Sequence, residues 1–363
     1  MRMSKLIFYH CQSMELSESS WVRSRIGTAM AEPIFHLGTF DIGGVIAIGM
    51  VVADAVTDLR LACARAGVPL PRIENLADLL GDWDRNFELL QGVAAHATMG
   101  EECVDVACTR PLPPLGRRGK MLYAAANYRD HTAGMRKTFT PDIPLAGADK
   151  PLPALRPYMF GKVCEPTGAY DDIILPAGIE RMDWEAEMMV VIGRPGRNIA
   201  HGRVKDHIAG YMTTNDVSCR DRTWREDRPA LRSDWLSGKS FDSFAPIGPY
   251  FTPAAFVPDH RNVRIRLWVN AILKQDGNSG DMIFGVEEQV EYVSEIMTLL
   301  PGDMIATGTP AGTGQERLEF LKPGDVVETE VEFCGRQRNQ VKVMSSAGTA
   351  DLPGQTERLR HGA

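Results

Sequence analysis

The chain has 363 residues, 40 of them Lys or Arg and 47 Asp or Glu, so its formal net charge at pH 7 is −7. This length and a hydrophobic fraction of 44% are those of a globular protein and exclude a disordered, collagen-like or fibrous chain. An acidic chain without a basic tract is a poor binder of nucleic acid or anionic membranes, and no apolar run reaches the roughly 18 residues that span a bilayer. We therefore expect a small molecule or another protein as its partner.

The cysteines and the first residues indicate the cellular compartment. Seven cysteines, an odd number, occur without any Cys-x-x-Cys spacing, which argues against a disulfide framework and against a thiolate zinc site. The residues that follow Met1 contain no apolar segment of the kind found in signal peptides. We expect a cytoplasmic protein.

Composition divides the chain into four parts. Residues 1–30 are polar and lack clear periodicity, so we expect a disordered extension or sequence from an early start codon. A Pro-rich break at 111–116 predicts a boundary between a small N-terminal domain, 31–115, and a larger domain, 116–345. Residues 346–363 read as a polar tail.

The N-terminal domain is predicted to combine strands with helices. Two β-rich runs, 34–40 and 45–52, flank a Gly-Gly turn, which predicts a hairpin. Apolar residues recur at helical spacing over 58–66 and over 75–90, which predicts two amphipathic helices.

The larger domain is predicted to be mainly β. Strands are expected at 121–125, 188–192 and 263–269, between many Gly- and Pro-containing turns, and one helix is expected at 286–299. The fold class that follows for the whole chain is α+β, with β structure dominant.

One stretch of acidic residues is a candidate functional site. Asp183, Glu185 and Glu187 alternate with Trp184 and Ala186 and lead into an apolar run. Side chains alternate between the faces of a strand, so the three carboxylates are expected on one face. Their repulsion in a partly buried strand would be offset by a divalent cation, and oxygen ligands favour Mg²⁺, Mn²⁺ or Ca²⁺ over Zn²⁺. The alternative is an edge strand whose polar face meets water.

Four ordered blocks of sequence resemble the fumarylacetoacetate hydrolase family, including its bacterial acylpyruvase and 2-hydroxyhepta-2,4-diene-1,7-dioate isomerase-like members. They are 123–131 (Asn-Tyr-x-x-His), 183–194 (Glu-x-Glu), 215–221 with 238–242 (Asn-Asp, Gly-Lys-Ser-Phe) and 300–312 (Thr-Gly-Thr-Pro). The resemblance covers about residues 120–342. It implies a mixed β-roll or β-sandwich catalytic domain, usually in a homodimer, with one Mg²⁺ or Mn²⁺ per subunit.

The resemblance also implies roles for individual residues. The implied metal ligands are Glu185, Glu187 and Asp216. The implied catalytic residues are His131 as the base, with Lys239 and Arg220 stabilising negative charge. The implied substrate contacts are Thr309, Gly308 and Tyr128.

The chain departs from the family beside the histidine. Many bacterial members carry a glutamate three residues after it, and this position is Gly134 here. The carboxylate that orients His131 must then come from elsewhere, and five candidates stay unranked: Asp130, Asp142, Asp149, Glu316 and Glu319. The long polar segment 132–157 that follows the histidine is hypothesised to be an active-site lid.

Three functions remain open on the sequence alone. The first is hydrolysis of a carbon–carbon bond in a 2,4-dioxo acid, such as an acylpyruvate or fumarylpyruvate, through a metal-bound enolate in aromatic-compound catabolism. The second is isomerisation or decarboxylation of a 2-hydroxymuconate-like diacid, which the missing glutamate at Gly134 keeps open. The third is a non-catalytic, metal-dependent binding protein. Five intact site residues argue against it: Glu185, Glu187, Asp216, His131 and Lys239.

Overall fold

The structure, a computed structural model, describes residues 33–344 apart from 71, 98–102, 117–118, 140–155, 229 and 232. The predicted N-terminal extension and C-terminal tail lie outside the described residues, and so does most of the predicted lid. Across the part that is described, no helix is both long and apolar enough to cross a membrane.

An antiparallel five-stranded sheet forms the N-terminal region. Its strands are β1 (His36–Ile42), β2 (Val45–Val52), β3 (Ala55–Asp58), β4 (Val104–Asp105) and β5 (Arg110–Leu112), in the spatial order β4-β3-β2-β1-β5. The predicted hairpin is confirmed, because β1 pairs with β2 from His36 opposite Val51 to Ile42 opposite Val45. The turn places Gly43 and Gly44 at φ 63° and 90°, a conformation that favours glycine.

Three α-helices are found among the described residues of this region. They are α1 (Leu59–Arg65), α2 (Ala77–Leu80) and α3 (Trp83–Ala94). The single helix predicted over 75–90 is wrong, since Asp82 adopts φ −139° and ψ 60° and separates α2 from α3. After this break Trp83 packs edge-on against Phe251, with ring centroids 5.2 Å apart.

The larger region is built from two main sheets and one short strand pair. Its strands are β6 (Met121–Ala125), β7 (Tyr158–Gly161), β8 (Ile173–Leu175), β9 (Met182–Asp183), β10 (Ala186–Ile192), β11 (Ile208–Asn215), β12 (Ser218–Cys219), β13 (Thr252–Pro253), β14 (Arg264–Val269), β15 (Ile272–Asn278), β16 (Met304–Ala306), β17 (Val326–Val331) and β18 (Gly335–Val343). The spatial orders are β13-β11-β10-β16-β6-β7 and β15-β14-β17-β18-β8, with β12 beside β9. The predicted α+β fold with dominant β structure is confirmed.

The described part of this region also contains five α-helices. They are α4 (Arg129–Phe139), α5 (Arg220–Thr223), α6 (Trp235–Lys239), α7 (Val286–Ile296) and α8 (Gly314–Arg317). All seven residues of β10 and all eight of β11 are buried, and β10 and β11 pack against β14 and β17 of the other sheet. Residues on both sides of position 115 share one hydrophobic core, so the predicted domain boundary stays a prediction.

Candidate active site

Two central strands bring three carboxylates together. β10 and β11 pair so that Glu187 lies opposite Thr214, and Asp216 follows the last residue of β11. Just before β10, the backbone oxygen of Glu185 accepts a 2.8 Å hydrogen bond from the Asp216 N–H. Ligand oxygens of Glu185, Glu187 and Asp216 all lie within 4.8 Å of one another, and all three side chains are buried. The structure thus assembles the set that the resemblance implies, from residues about 30 positions apart.

This carboxylate cluster fits a divalent cation. Oε2 of Glu187 accepts a 2.8 Å hydrogen bond from the Gly308 N–H, whereas its buried Oε1 has no partner among the described residues. Burial raises the pKa of Glu187 well above its usual range, and the charges of Asp216 and Glu185 raise it further. A buried oxygen without a donor beside two other carboxylates suits an ion with all-oxygen ligation, such as Mg²⁺ or Mn²⁺.

Buried Lys239 and part-buried Arg220 border the cluster. Nζ of Lys239 donates to Oε2 of Glu185 over 2.6 Å and to Oδ2 of Asp216 over 2.7 Å, and Arg220 contacts Oε1 of Glu185. Burial alone would raise the pKa of Glu185, but Lys239 and Arg220 together hold it well below its usual range. Both basic residues predicted for catalysis therefore lie at the cluster, where they offset its negative charge.

A third cation, Lys162, is missed by the sequence analysis. Its side chain is fully buried, and its Nζ contacts Oδ1 of Asp216 while donating to the backbone oxygens of Phe244 and Val217 over 2.6 and 3.1 Å. Lys162 thereby occupies the Asp216 oxygen that Lys239 does not use. A lone lysine after β7 carries no periodic signal, so only the folded chain reveals it.

The expectation that Asp183 joins the other carboxylates on one strand face is wrong. The strand is interrupted at residues 184 and 185, between β9 and β10, and Asp183 contributes no oxygen to the cluster. Its carboxylate instead accepts hydrogen bonds from Nε of Arg220 and from the N–H groups of Gly314 and Gln315. Simple alternation fails here because it assumes an unbroken extended backbone.

The structure identifies the carboxylate that orients His131. Nδ1 of His131 contacts Oε1 of Glu316, the only one of the five candidates to do so among the described residues, and Oε2 of Glu316 accepts a 3.1 Å hydrogen bond from the Gly312 N–H. A Cβ atom on Gly134 would lie 2.5 Å from Oε2 of Glu316, which is closer than real contacts allow. The glycine that replaces the family's glutamate therefore makes room for a glutamate from α8.

The predicted substrate contacts lie around the same strands, and all three residues are buried. The Thr309 hydroxyl donates to the Ala186 backbone oxygen over 2.9 Å and accepts from Nε2 of Gln275 over 2.8 Å. Gly308 has φ 92°, and its N–H is committed to Glu187. Tyr128 is fully buried. The substrate roles of these residues stay predictions, and the Thr309 hydroxyl has its proton engaged by Ala186.

A cleft of about 540 Å³ opens beside the His131–Glu316 pair. Asp130 and Gly134 of α4 line one side, and Gly312 and Glu316 line another. The cleft gives this side of the pair contact with solvent, while the carboxylate cluster lies buried.

Fold and site together define an α+β protein with a buried carboxylate centre suited to a divalent cation and a histidine held by a glutamate. The family described as Fumarylacetoacetate (FAA) hydrolase C-terminal matches residues 120–342, well over half of the chain. This chain belongs to that family.

Relatives within the family differ in the reactions for which they are named. Oxaloacetate tautomerase FAHD2B, mitochondrial, from Bos taurus is 38% identical over 233 residues, which are 63% of this chain and 68% of that protein. Maleylpyruvate hydrolase from Sphingobium sp. SYK-6, solved with manganese (II) ion and pyruvate, is 26% identical with a TM-score of 0.64, covering 85% of this chain and 100% of that one. Fumarylacetoacetate hydrolase from Exiguobacterium antarcticum is 27% identical with a TM-score of 0.64 over the same shares, 85% and 100%.

Proposed function

We propose that this protein is a divalent-metal-dependent hydrolase that cleaves a carbon–carbon bond in a 2,4-dioxo acid of the acylpyruvate or fumarylpyruvate type. The observation that carries the proposal is that buried His131 contacts part-buried Glu316 in a chain that also assembles the buried Glu185–Glu187–Asp216 cluster. In the sequence, Gly134 stands where many bacterial members of the family have the glutamate that would pair with the histidine to activate water. This absence weakened the case for hydrolysis. Glu316 supplies that carboxylate from another part of the chain and removes the objection.

The histidine has the geometry of a general base. Because Nδ1 of His131 is engaged by Glu316, the imidazole presents Nε2 to a water molecule. Glu316 fixes the tautomer that carries its proton on Nδ1, and it stabilises the positive charge that forms when Nε2 takes a second proton.

The reaction balances with these groups. Water loses a proton to Nε2 of His131 while its oxygen bonds to the distal carbonyl carbon of the substrate. The bond from that carbon to the methylene carbon then breaks, and its electron pair forms the enolate of pyruvate. The proton on His131 returns to the methylene carbon, which gives pyruvate and a carboxylic acid. When bound, a divalent cation supplies Lewis-acid stabilisation of the charge that develops on the substrate oxygens.

The charges at the site support an anionic substrate. Four buried carboxylates meet two buried lysines and a part-buried arginine, and these seven residues are Asp183, Glu185, Glu187, Asp216, Lys162, Lys239 and Arg220. With a divalent cation added, the fully ionised set has one positive charge in excess. One substrate carboxylate neutralises it, and Lys239 is placed to stabilise the second negative charge of an enolate.

A second candidate is proton transfer without bond cleavage, as in the tautomerisation of a 2-oxo diacid. The observation that favours it is the 38% identity to a protein named oxaloacetate tautomerase. His131 could then move a proton between the carbon and the oxygen of the enol. This reaction needs the same cation and the same base but no attacking water.

Turnover measured on three compounds separates the two candidates. Purified protein with Mg²⁺, with Mn²⁺ or with a chelator is given acetylpyruvate, fumarylpyruvate and enol-oxaloacetate, while the enol absorbance and released pyruvate are followed. Metal-dependent pyruvate release from a 2,4-dioxo acid, lost in Glu187→Gln and His131→Ala, is the expected result. Loss of the oxaloacetate enol without pyruvate would move the assignment to the tautomerase, and no turnover by metal-loaded protein would contradict both.

A further inference from the structure

Asp183 lies at the junction between the two halves of the site. Its side chain is completely buried, and both carboxylate oxygens are engaged. Nε of Arg220 donates to Oδ2 over 2.9 Å, and the N–H groups of Gly314 and Gln315 donate to Oδ1 and Oδ2 over 2.6 and 3.0 Å. One carboxylate therefore holds the Arg220 guanidinium and the start of α8 at the same time.

The first branch from Asp183 runs to the carboxylate cluster. The Arg220 guanidinium uses its NH2 group on Oδ2 of Asp183, at 2.8 Å, and on Oε1 of Glu185. Because the guanidinium is planar and rigid, fixing it on Asp183 also fixes where it meets Glu185. The other Glu185 oxygen, Oε2, is then directed toward Lys239.

The second branch runs to the His131–Glu316 pair. Gly314 begins α8, and Glu316 is the third residue of this four-residue helix. A Cβ atom on Gly314 would lie 2.7 Å from Oδ1 of Asp183, so glycine is what allows the carboxylate to approach the backbone this closely. The position of α8, and with it the direction of Glu316, therefore depends on Asp183.

We propose that Asp183 is a positioning residue that couples the Glu185 end of the carboxylate cluster to the His131–Glu316 pair. The proposal rests on the function proposed above, in which the cluster binds the cation and His131 acts as the base. It also explains the interrupted strand, because the break after β9 turns Asp183 away from the cluster and toward Arg220 and α8. Substitution of Asp183 should disturb both halves of the site, whereas substitution elsewhere on either branch should disturb one.

Three variants of the full chain test the coupling. Asp183→Asn weakens both branches, and Arg220→Gln cuts the branch to Glu185 while leaving the Asp183 contacts to α8. Asp303→Asn is the matched control, since Asp303 is also a buried aspartate that accepts two backbone hydrogen bonds of 2.7 Å, from Lys120 and Leu300, away from the cluster. The readouts are the Mn²⁺ dissociation constant by calorimetry and the amide hydrogen exchange of peptides that cover α8.

The coupling predicts a distinct pattern across these variants. Asp183→Asn should raise the Mn²⁺ dissociation constant by about tenfold or more and should speed exchange in α8. Arg220→Gln should weaken Mn²⁺ binding without changing exchange in α8. Asp303→Asn should lower thermal stability and change neither Mn²⁺ binding nor exchange in α8.

Other results would contradict the proposed coupling. Wild-type Mn²⁺ affinity or wild-type α8 exchange in Asp183→Asn would overturn the proposal. If Asp183→Asn fails to fold, unchanged Mn²⁺ affinity in Arg220→Gln would overturn it instead. Both readouts need no substrate, so failure of the wild-type protein to cleave 2,4-dioxo acids would contradict the proposed function and leave this test intact.

Discussion

Among the described residues, the pairs His131–Glu316 and His260–Glu287 match in composition and in side-chain exposure. The side chains of His131 and Glu316 are 8% and 11% exposed, and those of His260 and Glu287 are also 8% and 11% exposed. Each pair joins distant parts of the chain, and each glutamate belongs to a helix, α8 in one pair and α7 in the other.

Their surroundings are what differ. His131 contacts one oxygen of Glu316 through Nδ1. Burial, Lys239 and Arg220 act most strongly on the pKa of Glu185 and the charge of His131 acts on it next, which places this pair near the carboxylate cluster. His260 places Nε2 at 3.1 Å from both oxygens of Glu287 and stacks its ring on Tyr211, with centroids 6.1 Å apart. We therefore infer that a histidine–glutamate pair does not by itself define the site, and that the electrostatic interaction of His131 with Glu185 of the carboxylate cluster distinguishes the first pair.

Removing each imidazole in turn should give the largest difference in activity between the two pairs. His131→Ala should lower kcat/KM by about 10³-fold, since general base catalysis typically contributes 10²- to 10⁴-fold. His260→Ala should leave kcat/KM near the wild-type value and lower thermal stability, because it leaves Glu287 buried without its partner. Steady-state kinetics and thermal unfolding on both variants check this, and equal losses of activity would break the distinction.

Replacing each glutamate by glutamine should also distinguish the two pairs, with a smaller difference in activity. Glu316→Gln should lower kcat by about 10- to 100-fold, because partners that orient a functional histidine carry effects of this size. Glu287→Gln should cost about 1–3 kcal/mol of unfolding free energy and leave kcat unchanged. The two quantities come from initial rates and urea denaturation, and an active Glu316→Gln enzyme would remove Glu316 from the mechanism.

A single methyl group tests the space beside Glu316. Gly134→Ala should displace Glu316, since the new Cβ would begin 2.5 Å from Oε2, and we expect a loss in kcat of about tenfold for a shift below 1 Å. Gly92→Ala is the control, because Gly92 also lies in a helix and a Cβ there meets nothing within 4 Å. Equal rates in the two variants would show that Glu316 tolerates the displacement.

The His260–Glu287 pair should make the unfolding free energy depend on pH. Burial would raise the pKa of Glu287, but the hydrogen bond from His260, a backbone hydrogen bond and the charges of His260 and Lys205 together hold that pKa below its ordinary value of 4.5. Near pH 4.5 the unfolded state therefore binds more protons than the native state. The stabilisation that ionised Glu287 gives the native state is present above pH 4.5 and is lost as the pH falls below it. The gap in unfolding free energy between wild type and Glu287→Gln should narrow from pH 6 toward pH 3, and a constant gap would exclude this contribution.

Much of the fold followed from local patterns in the sequence. The Gly43–Gly44 hairpin, β6, the buried β10 and α7 have periodicities or turn residues that act within a few positions. The break at Asp82 and the interruption at 184 and 185 do not, because tertiary contacts of Trp83 and Asp183 decide the backbone there. Registers between strands far apart in the chain likewise have no local signal.

The site shows the same division between local and distant determinants. Glu185, Glu187, Asp216, Lys239 and His131 lie in recognisable motifs, and the structure brings the first four into contact. The partnership of His131 with Glu316 spans 185 positions, so sequence spacing could not rank Glu316 above the other carboxylates. Lys162 carried no motif at all, and its importance appears only through its buried contact with Asp216.

The most direct measurement is calorimetric titration of Mn²⁺ into chelator-treated protein, beside Glu187→Gln. We predict that the wild type binds one Mn²⁺ per chain and that Glu187→Gln shows no measurable Mn²⁺ binding. The metal-free variant should be at least as stable as the wild type, because burial and the neighbouring carboxylates already disfavour the charge on Glu187 and raise its pKa. Wild-type protein that binds no Mn²⁺, or a Glu187→Gln variant that binds it equally well, would contradict the assignment of Glu185, Glu187 and Asp216 as the metal centre.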